Sequence, residues 1–207
     1  MIKKYSQYKN DLFNKLNLKF QKGKKLLDVG CGNGLDAKIL KKEYGLKVYA
    51  SDVYKDREFT YKDIPFKIGS VYILPYEANS FDYLFLHDVL HHIDEPRQRR
   101  MKHVSALEEL RRICRKGGKI VIVEGNRYNP LFYPHMVKMR RHDHWKQSYF
   151  KSVIQSVFKS DKVEFRFFEA HHYPQKLLLL FKIYEKIMER FSPVQFLAYN
   201  VSIITKS

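Results

Sequence analysis

The sequence predicts an α/β fold with a doubly wound, mostly parallel sheet, and three observations carry that expectation. Short apolar runs of strand length alternate along the chain with apolar stripes at helical spacing. The run Ile120-Val-Ile-Val123 is unbroken, as expected of a strand covered on both faces. The first run, Lys25-Leu-Leu-Asp-Val29, enters a glycine-rich turn, Gly30 to Gly34, that opens directly into a helical stripe.

Taken in order, a basic amphipathic segment over Tyr5 to Phe20 carries Tyr5, Tyr8, Leu12 and Leu16 on one side. Lys25 to Val29 is the first strand. Leu35 to Tyr44 reads as a helix closed by Gly45, because glycine accepts the left-handed conformation that ends helices. Strands follow at Lys47 to Asp52, Phe66 to Val71 and Phe81 to His87. Between the last two, Leu74-Pro75-Tyr76 forces an extended turn. The spacing of Met101, Val104, Leu107, Leu110 and Cys114 predicts a helix over Arg97 to Arg115, ended by Gly117-Gly118, before a fifth strand at Lys119 to Glu124. Gly125 to Trp145 is rich in Asn, Pro, Tyr and His and reads as a long loop. A helix through Val153 to Phe158 and a strand at Lys162 to Phe168 come next. Leu177, Leu180, Phe181, Tyr184, Ile187, Met188 and Phe191 form one stripe along a helix over Lys176 to Phe191, stopped by Ser192-Pro193. Phe196 to Thr205 closes the chain as a strand.

Composition narrows the function classes. The 207 residues are apolar enough to bury a core and lie outside disordered compositions; their length matches one domain. No stretch approaches the roughly 18 to 20 apolar residues of a membrane-spanning helix, and the start, MIKKYSQYKN, lacks a signal peptide's apolar core. The expectation is a cytoplasmic protein. Cys31 and Cys114 are too few for a disulfide framework and lack zinc-finger spacing, so both are expected as thiols. The net charge of +17 invites a nucleic-acid reading through phosphate neutralisation. The basic residues are nevertheless spread along the chain. Their densest stretch, Arg97 to Lys119 with nine basic and two acidic residues, coincides with the amphipathic helix, whose basic face is expected to be wet.

The glycine turn carries the chemistry. Glycines at 30, 32 and 34 let the backbone approach a ligand without side-chain interference and permit positive φ. A dinucleotide loop would place its third glycine one residue later, where Leu35 stands, and no Gly-Lys-Ser/Thr of a phosphate loop follows. Asp52 ends the second strand 18 residues after Gly34, where a carboxylate can accept ribose hydroxyls. The adjacent histidines of His91-His92 and His171-His172 would point to opposite faces of a strand, none of the close pairs, His142/His144 included, has the i, i+4 spacing of a helical metal pair, and no metal site is assigned.

Four blocks together resemble a class I S-adenosylmethionine-dependent methyltransferase of the type 11-like kind. They are LLDVGCGNG at residues 26–34, Ser51-Asp52, Gly69-Ser-Val-Tyr-Ile-Leu-Pro-Tyr76 with Ser80 to His92, and Glu109 to Gly118. The resemblance covers residues 25–124, which it makes the cofactor-binding core of a single domain, with residues 125–207 on the acceptor side. It implies a Rossmann-like, three-layer αβα sheet of about seven strands with an antiparallel last strand, and S-adenosyl-L-methionine as cofactor. Asp28, Gly30, Cys31, Gly32, Asn33 and Gly34 would hold the cofactor's methionine end, Asp52 its ribose, and Val53, Ser70 and Val71 its adenine. Position 70 is usually Asp in the family and is Ser70 here. His87 and Asp88 end the fourth strand, where methyl and acceptor meet, and are the catalytic candidates, with His87 also against the cofactor. His91 and His92 would start the next helix.

The likeness fades after Glu124, where acceptor specificity is expected. The Asn/Asp-Pro-Pro-aromatic tetrad of amino methyltransferases acting on nucleic-acid bases is replaced after strand four by His87-Asp-Val-Leu90. The leading expectation is a small or lipid-linked acceptor, with the stripe from Leu177 to Phe191 as a lid or, flanked by Lys176, Lys182, Lys186 and Arg190, as a contact with an anionic membrane. Two other readings stay open: an RNA or protein methyltransferase using the basic surface, and a non-catalytic cofactor- or RNA-binding module. The sequence assigns no oligomeric state.

Overall fold

The computed structural model describes residues 4–95, 97–139 and 143–207. Its seven strands run in the order β3-β2-β1-β4-β5-β7-β6, with helices around the sheet. The strands are β1 (Lys25–Val29), β2 (Lys47–Asp52), β3 (Phe66–Ile68), β4 (Phe81–His87), β5 (Cys114–Gly125), β6 (Lys162–Phe168) and β7 (Tyr199–Thr205). The helices are α1 (Gln7–Leu16), α2 (Leu35–Tyr44), α3 (Arg100–Ile113), α4 (Gln147–Val157) and α5 (Leu178–Phe191). Pairing is parallel from β3 through β5. Strand β7 runs antiparallel to β5: Asn126 bonds to Ala198 while Gly117 bonds to Lys206, so partners move in opposite directions along the chain.

The chain divides into two compact units. One comprises residues 20–124, 151–165 and 201–207; the other comprises residues 1–19, 125–150 and 166–200. Strands β6 and β7 pass through both.

In the first unit, β1 is central, registered with β2 through Leu27↔Tyr49 and with β4 through Leu27↔Leu84. Leu26, Leu27, Leu84, Phe85 and Leu86 are fully buried, as are Ile120 to Val123 of β5. Continuous apolar runs are what a sheet covered on both faces requires. The switch in strand order falls between β1 and β4, and in such sheets ligands bind beyond the strands' carboxyl ends at that point.

Bounds that differ from the sequence reading have local causes. Strand β5 starts at Cys114, not Lys119, because Gly117-Gly118 form a bulge rather than a terminator. Phe81 pairs with Cys114 while Tyr83 pairs with Lys119. A Cβ on Gly118 would stand 2.7 Å from the Asp82 carbonyl oxygen, so only glycine fits there. Strand β3 stops at Ile68 because the chain turns back at Gly69 to Ile73, closed by the Ile73 amide on the Ser70 carbonyl at 2.9 Å. Helix α3 is shorter than expected, Arg100–Ile113 rather than Arg97 to Arg115. It turns inward His103, Ala106, Leu107, Leu110 and Ile113, leaving Met101 outside. His91 and His92 lie on a separate 3-10 turn, Leu90–His92, not on that helix. Four arginines of the basic stretch, Arg99, Arg111, Arg112 and Arg115, are engaged in ion pairs with Asp94, Asp161, Glu109 and Asp82. The basic face is therefore partly structural rather than wholly wet.

In the second unit, α1 begins at Ser6, whose hydroxyl accepts from the Lys9 amide, and ends at Asn17 in the left-handed region. It buries Tyr8, Leu12, Phe13 and Leu16. The segment expected to be loop contains a π-helical turn, Tyr133–Met139. It is initiated by Asn129, whose side-chain oxygen accepts from the Leu131 and Phe132 amides at 3.0 and 3.1 Å. A 3-10 turn over Val194–Phe196 delays β7 to Tyr199. Helix α4, of which residues 147–150 belong to this unit and 151–157 to the first, starts six residues before the expected Val153, since Phe150 belongs to the same buried stripe as Val153 and Ile154.

The ends of helix α5 are close to those expected, and the stripe expected to serve as a lid or membrane contact is largely exposed rather than packed on the sheet. Leu180 is 62%, Ile187 51% and Phe191 73% exposed, while Glu185 and Met188 are buried. The inward face instead carries ions: Glu185 meets Lys15 at 3.2 Å and Lys182 at 2.9 Å. Lys182 also meets Asp11, and Lys15 meets Glu189.

Candidate active site

A cavity of about 490 Å³ opens at the sheet's switch point, a volume in the range of small-ligand sites. Its lining combines Val29 and Gly30 after β1, Asp52 to Tyr54 after β2, Gly69 to Tyr72 after β3, and Asp88, Val89 and His92 to Asp94 after β4.

The glycine turn and Asp52 build one another. The Gly30 and Cys31 amides donate to the Ser51 carbonyl at 2.8 and 3.2 Å. The Gly32 amide donates to one Asp52 carboxylate oxygen at 2.9 Å, and the Val53 amide to the other at 2.7 Å. Each oxygen keeps a lone pair for a further donor. Gly30 has φ +68°, and a Cβ there would lie 2.5 Å from a Val89 methyl, so both conformation and space demand glycine. Gly34, at φ +80°, caps α2 and would drive a Cβ into Phe59 at 2.6 Å.

Of the residues expected to hold the cofactor, Gly30, Asp52, Val53, Ser70 and Val71 line the cavity. Asp28 is buried within β1, and Cys31 is buried within the turn. Burial, then the Asp28 and Asp52 carboxylates, push the Cys31 thiol far above its ordinary range, so it is not a nucleophile. Gly32 braces Asp52, and the exposed Asn33 accepts from the Leu35 amide at 3.1 Å within the turn that leads into α2.

Of the catalytic candidates, Asp88 lines the cavity and His87 does not. The His87 Nδ1 faces the Asp36 carboxylate of α2 at 2.7 Å, and its Nε2 is 3.6 Å from Asp88. Asp88 has φ +55°, a left-handed conformation that aspartate tolerates better than most residues. His142 lies outside the described residues.

The structure adds residues the sequence did not single out. Glu124, fully buried at the end of β5, accepts from the Val89 and Leu90 amides at 3.0 and 2.6 Å and meets His91 Nδ1 at 2.7 Å. Burial works to lower the His91 pKa, and the Glu124 carboxylate more than reverses it, leaving the imidazole above its ordinary 6.5. The buried His103 imidazole bonds to the Ile93 carbonyl at 3.0 Å, and burial lowers its pKa. Glu109 and Arg112 of α3 hold the turn after β3: Glu109 accepts from the Leu74 amide at 2.7 Å, and Arg112 donates to the Tyr76 carbonyl at 2.8 Å. The Arg99 guanidinium holds the cavity-lining Asp94 carboxyl down at about 2. The unbroken charge after Val123 was the available signal for Glu124; nothing in the sequence marked His103.

The architecture is the class I methyltransferase fold. Residues 27–122 match the family Methyltransferase domain. The chain is similar to a demethylmenaquinone methyltransferase of Oceanobacillus iheyensis, 24% identical over 134 residues, 59% of this chain and 52% of that one. It is also similar to a 2-methyl-6-phytyl-1,4-hydroquinone methyltransferase of Synechocystis, 30% identical over 143 residues, 63% and 43% of the two chains. The chain spans about half the length of the curated relatives it matches. In fold it resembles Haemonchus contortus phosphoethanolamine N-methyltransferase 2 in complex with S-adenosyl-L-methionine, with a TM-score of 0.63, 17% identity, and coverage of 98% of this chain and 52% of that one. The cofactor of the class is S-adenosyl-L-methionine. Its nucleoside with an amino-acid tail suits this cavity: the volume is adequate, Asp52 offers a braced carboxylate, and Gly30 presents bare backbone.

Proposed function

We propose that this protein transfers a methyl group from S-adenosyl-L-methionine to a small or lipid-linked acceptor. The observation that carries the reading is the Asp52 carboxylate, fixed by the Gly32 and Val53 amides at the rim of the cavity. When bound, the cofactor supplies a methyl group on a sulfonium, and transfer is an in-line displacement for which positioning contributes most of the rate.

In this reading Asp52 accepts from the ribose hydroxyls, and the bare backbone at Gly30 admits the methionine end. Val53 and Tyr54, both exposed at the rim, cover the adenine together with Ser70 and Val71. Asp88 faces the acceptor and takes a proton where the acceptor must lose one. His87, between Asp36 and Asp88, is a positioning residue that holds the end of β4. The quinone-directed relatives support an apolar ring-bearing acceptor, with its selectivity in residues 125–207. Among the described residues no helix is long and apolar enough to cross a membrane.

The test is a labelled-methyl transfer assay on fractionated cell extract. Label is expected in the lipid or small-molecule pool and lost with Asp52→Ala; label confined to RNA or protein would contradict the acceptor class. Asp88→Asn is expected to lower kcat at nearly unchanged KM for the cofactor.

A further inference from the structure

We infer that the outward face of α5 is a docking surface for an anionic membrane. The helix shows solvent a stripe of large apolar side chains. Leu179 is 75% exposed, Leu180 62%, Ile183 47%, Ile187 51% and Phe191 73%. At a helical period these positions share one face, and the exposed Val194 and Phe196 follow it in sequence. A contiguous apolar patch of this kind marks an interaction site, because isolated exposed residues do not align in this way.

Rotation cannot bury the stripe. The opposite face is occupied by Glu185, itself 2% exposed, in ion pairs with Lys15 and Lys182, and by the Phe181 ring stacked on Tyr173 at 4.9 Å and 11°. Turning the leucines inward would strand Glu185 in an apolar setting without its cations. The outward face is therefore as much a product of the fold as the inward one.

Charge selects the occupant. Lys176, Lys186 and Arg190 are exposed beside the stripe, Arg190 with its guanidinium 5.4 Å from the Phe191 ring, and the whole chain carries +17. Acidic side chains of the helix are committed elsewhere: Glu185 to Lys15 and Lys182, Glu189 to Lys15. An apolar face rimmed by cations, on a helix too short to span a bilayer, is the pattern of a helix lying in the plane of an anionic lipid surface. A second copy of this chain would instead bring two strongly positive molecules and two basic rims together.

The inference does not depend on methyl transfer, and its test is read without cofactor. The purified chain is sedimented with vesicles of phosphatidylcholine alone and with vesicles of phosphatidylcholine and phosphatidylglycerol in equal parts. Binding is expected to the second and not to the first, and to fall as salt is raised. The double variant Ile183→Gln, Ile187→Gln should weaken it by about tenfold or more at an unchanged melting temperature. Lys186→Glu with Arg190→Glu should remove the preference for anionic lipid. Equal binding by wild type and the glutamine variant, or no binding to the anionic vesicles, overturns the inference. So does a wild-type dimer, seen by light scattering, that the glutamine variant converts to monomer without any lipid binding.

Discussion

Helices α3 and α5 carry similar patterns and use them in opposite ways. Each is 14 residues long, with apolar positions every three or four residues and charges between. Helix α3 buries Leu107, Leu110 and Ile113 and sends Arg111 and Arg112 to the rim, where both pair with carboxylates. Helix α5 buries Glu185, paired with the half-buried Lys15 and Lys182, and leaves Leu179, Leu180 and Ile187 in solvent. Periodicity thus divides a helix into faces without saying which face turns inward. That choice depends on partners elsewhere in the chain, here Asp11 and Lys15 of α1, which no local window contains.

The sharpest way to break this contrast is truncation at matched leucines. Leu110→Ala, at a fully buried site, should cost about 2 to 5 kcal/mol in denaturant unfolding through lost burial and the cavity left behind. Leu180→Ala should stay within about 0.5 kcal/mol, as exposed substitutions do. Equal costs would mean that α5 buries its stripe after all. Glu185→Ala comes next, at about 2 to 3 kcal/mol by the same measurement, discounted because Lys15 and Lys182 are partly exposed. A neutral result would remove the ionic explanation for the orientation of α5.

Gly30→Ala should be costly for binding rather than for the helices. Its forced positive φ and its 2.5 Å approach to Val89 should deform the cavity wall and weaken S-adenosyl-L-methionine binding about tenfold, measured by calorimetry. The smallest effect is the pH dependence of the His91–Glu124 pair. Because the folded His91 pKa lies above its ordinary 6.5, the pair's contribution is full below that value and is lost as pH rises through the raised folded pKa. Unfolding measured across this window should lose stability with rising pH in the wild type, and the slope should flatten in His91→Gln.

The two ends of the molecule also differ in how legible they were. Strands β1, β2, β4 and β6 and helix α2 run between the residues read from sequence, the strands because their apolar residues recur at strand spacing and α2 because it is bounded by Gly34 and Gly45. The cavity's skeleton was equally visible, since backbone conformation at Gly30 and the position of Asp52 are set locally. What was hidden depends on long-range polar contacts. Glu124 holds the turn after β4 from 34 residues away, and His103 reaches Ile93 from inside α3. The role of Gly117-Gly118 was misread because a bulge and a terminator share one signal until the partner strand's register is known.

The most direct test of the site is calorimetry of S-adenosyl-L-methionine binding to the wild type and to Asp52→Ala, each checked for an unchanged melting temperature. Loss of two hydrogen bonds to a carboxylate, about 3 kcal/mol together, should weaken binding by about a hundredfold. Binding of undiminished affinity by Asp52→Ala, or no binding by the wild type, would contradict the assignment of this cavity.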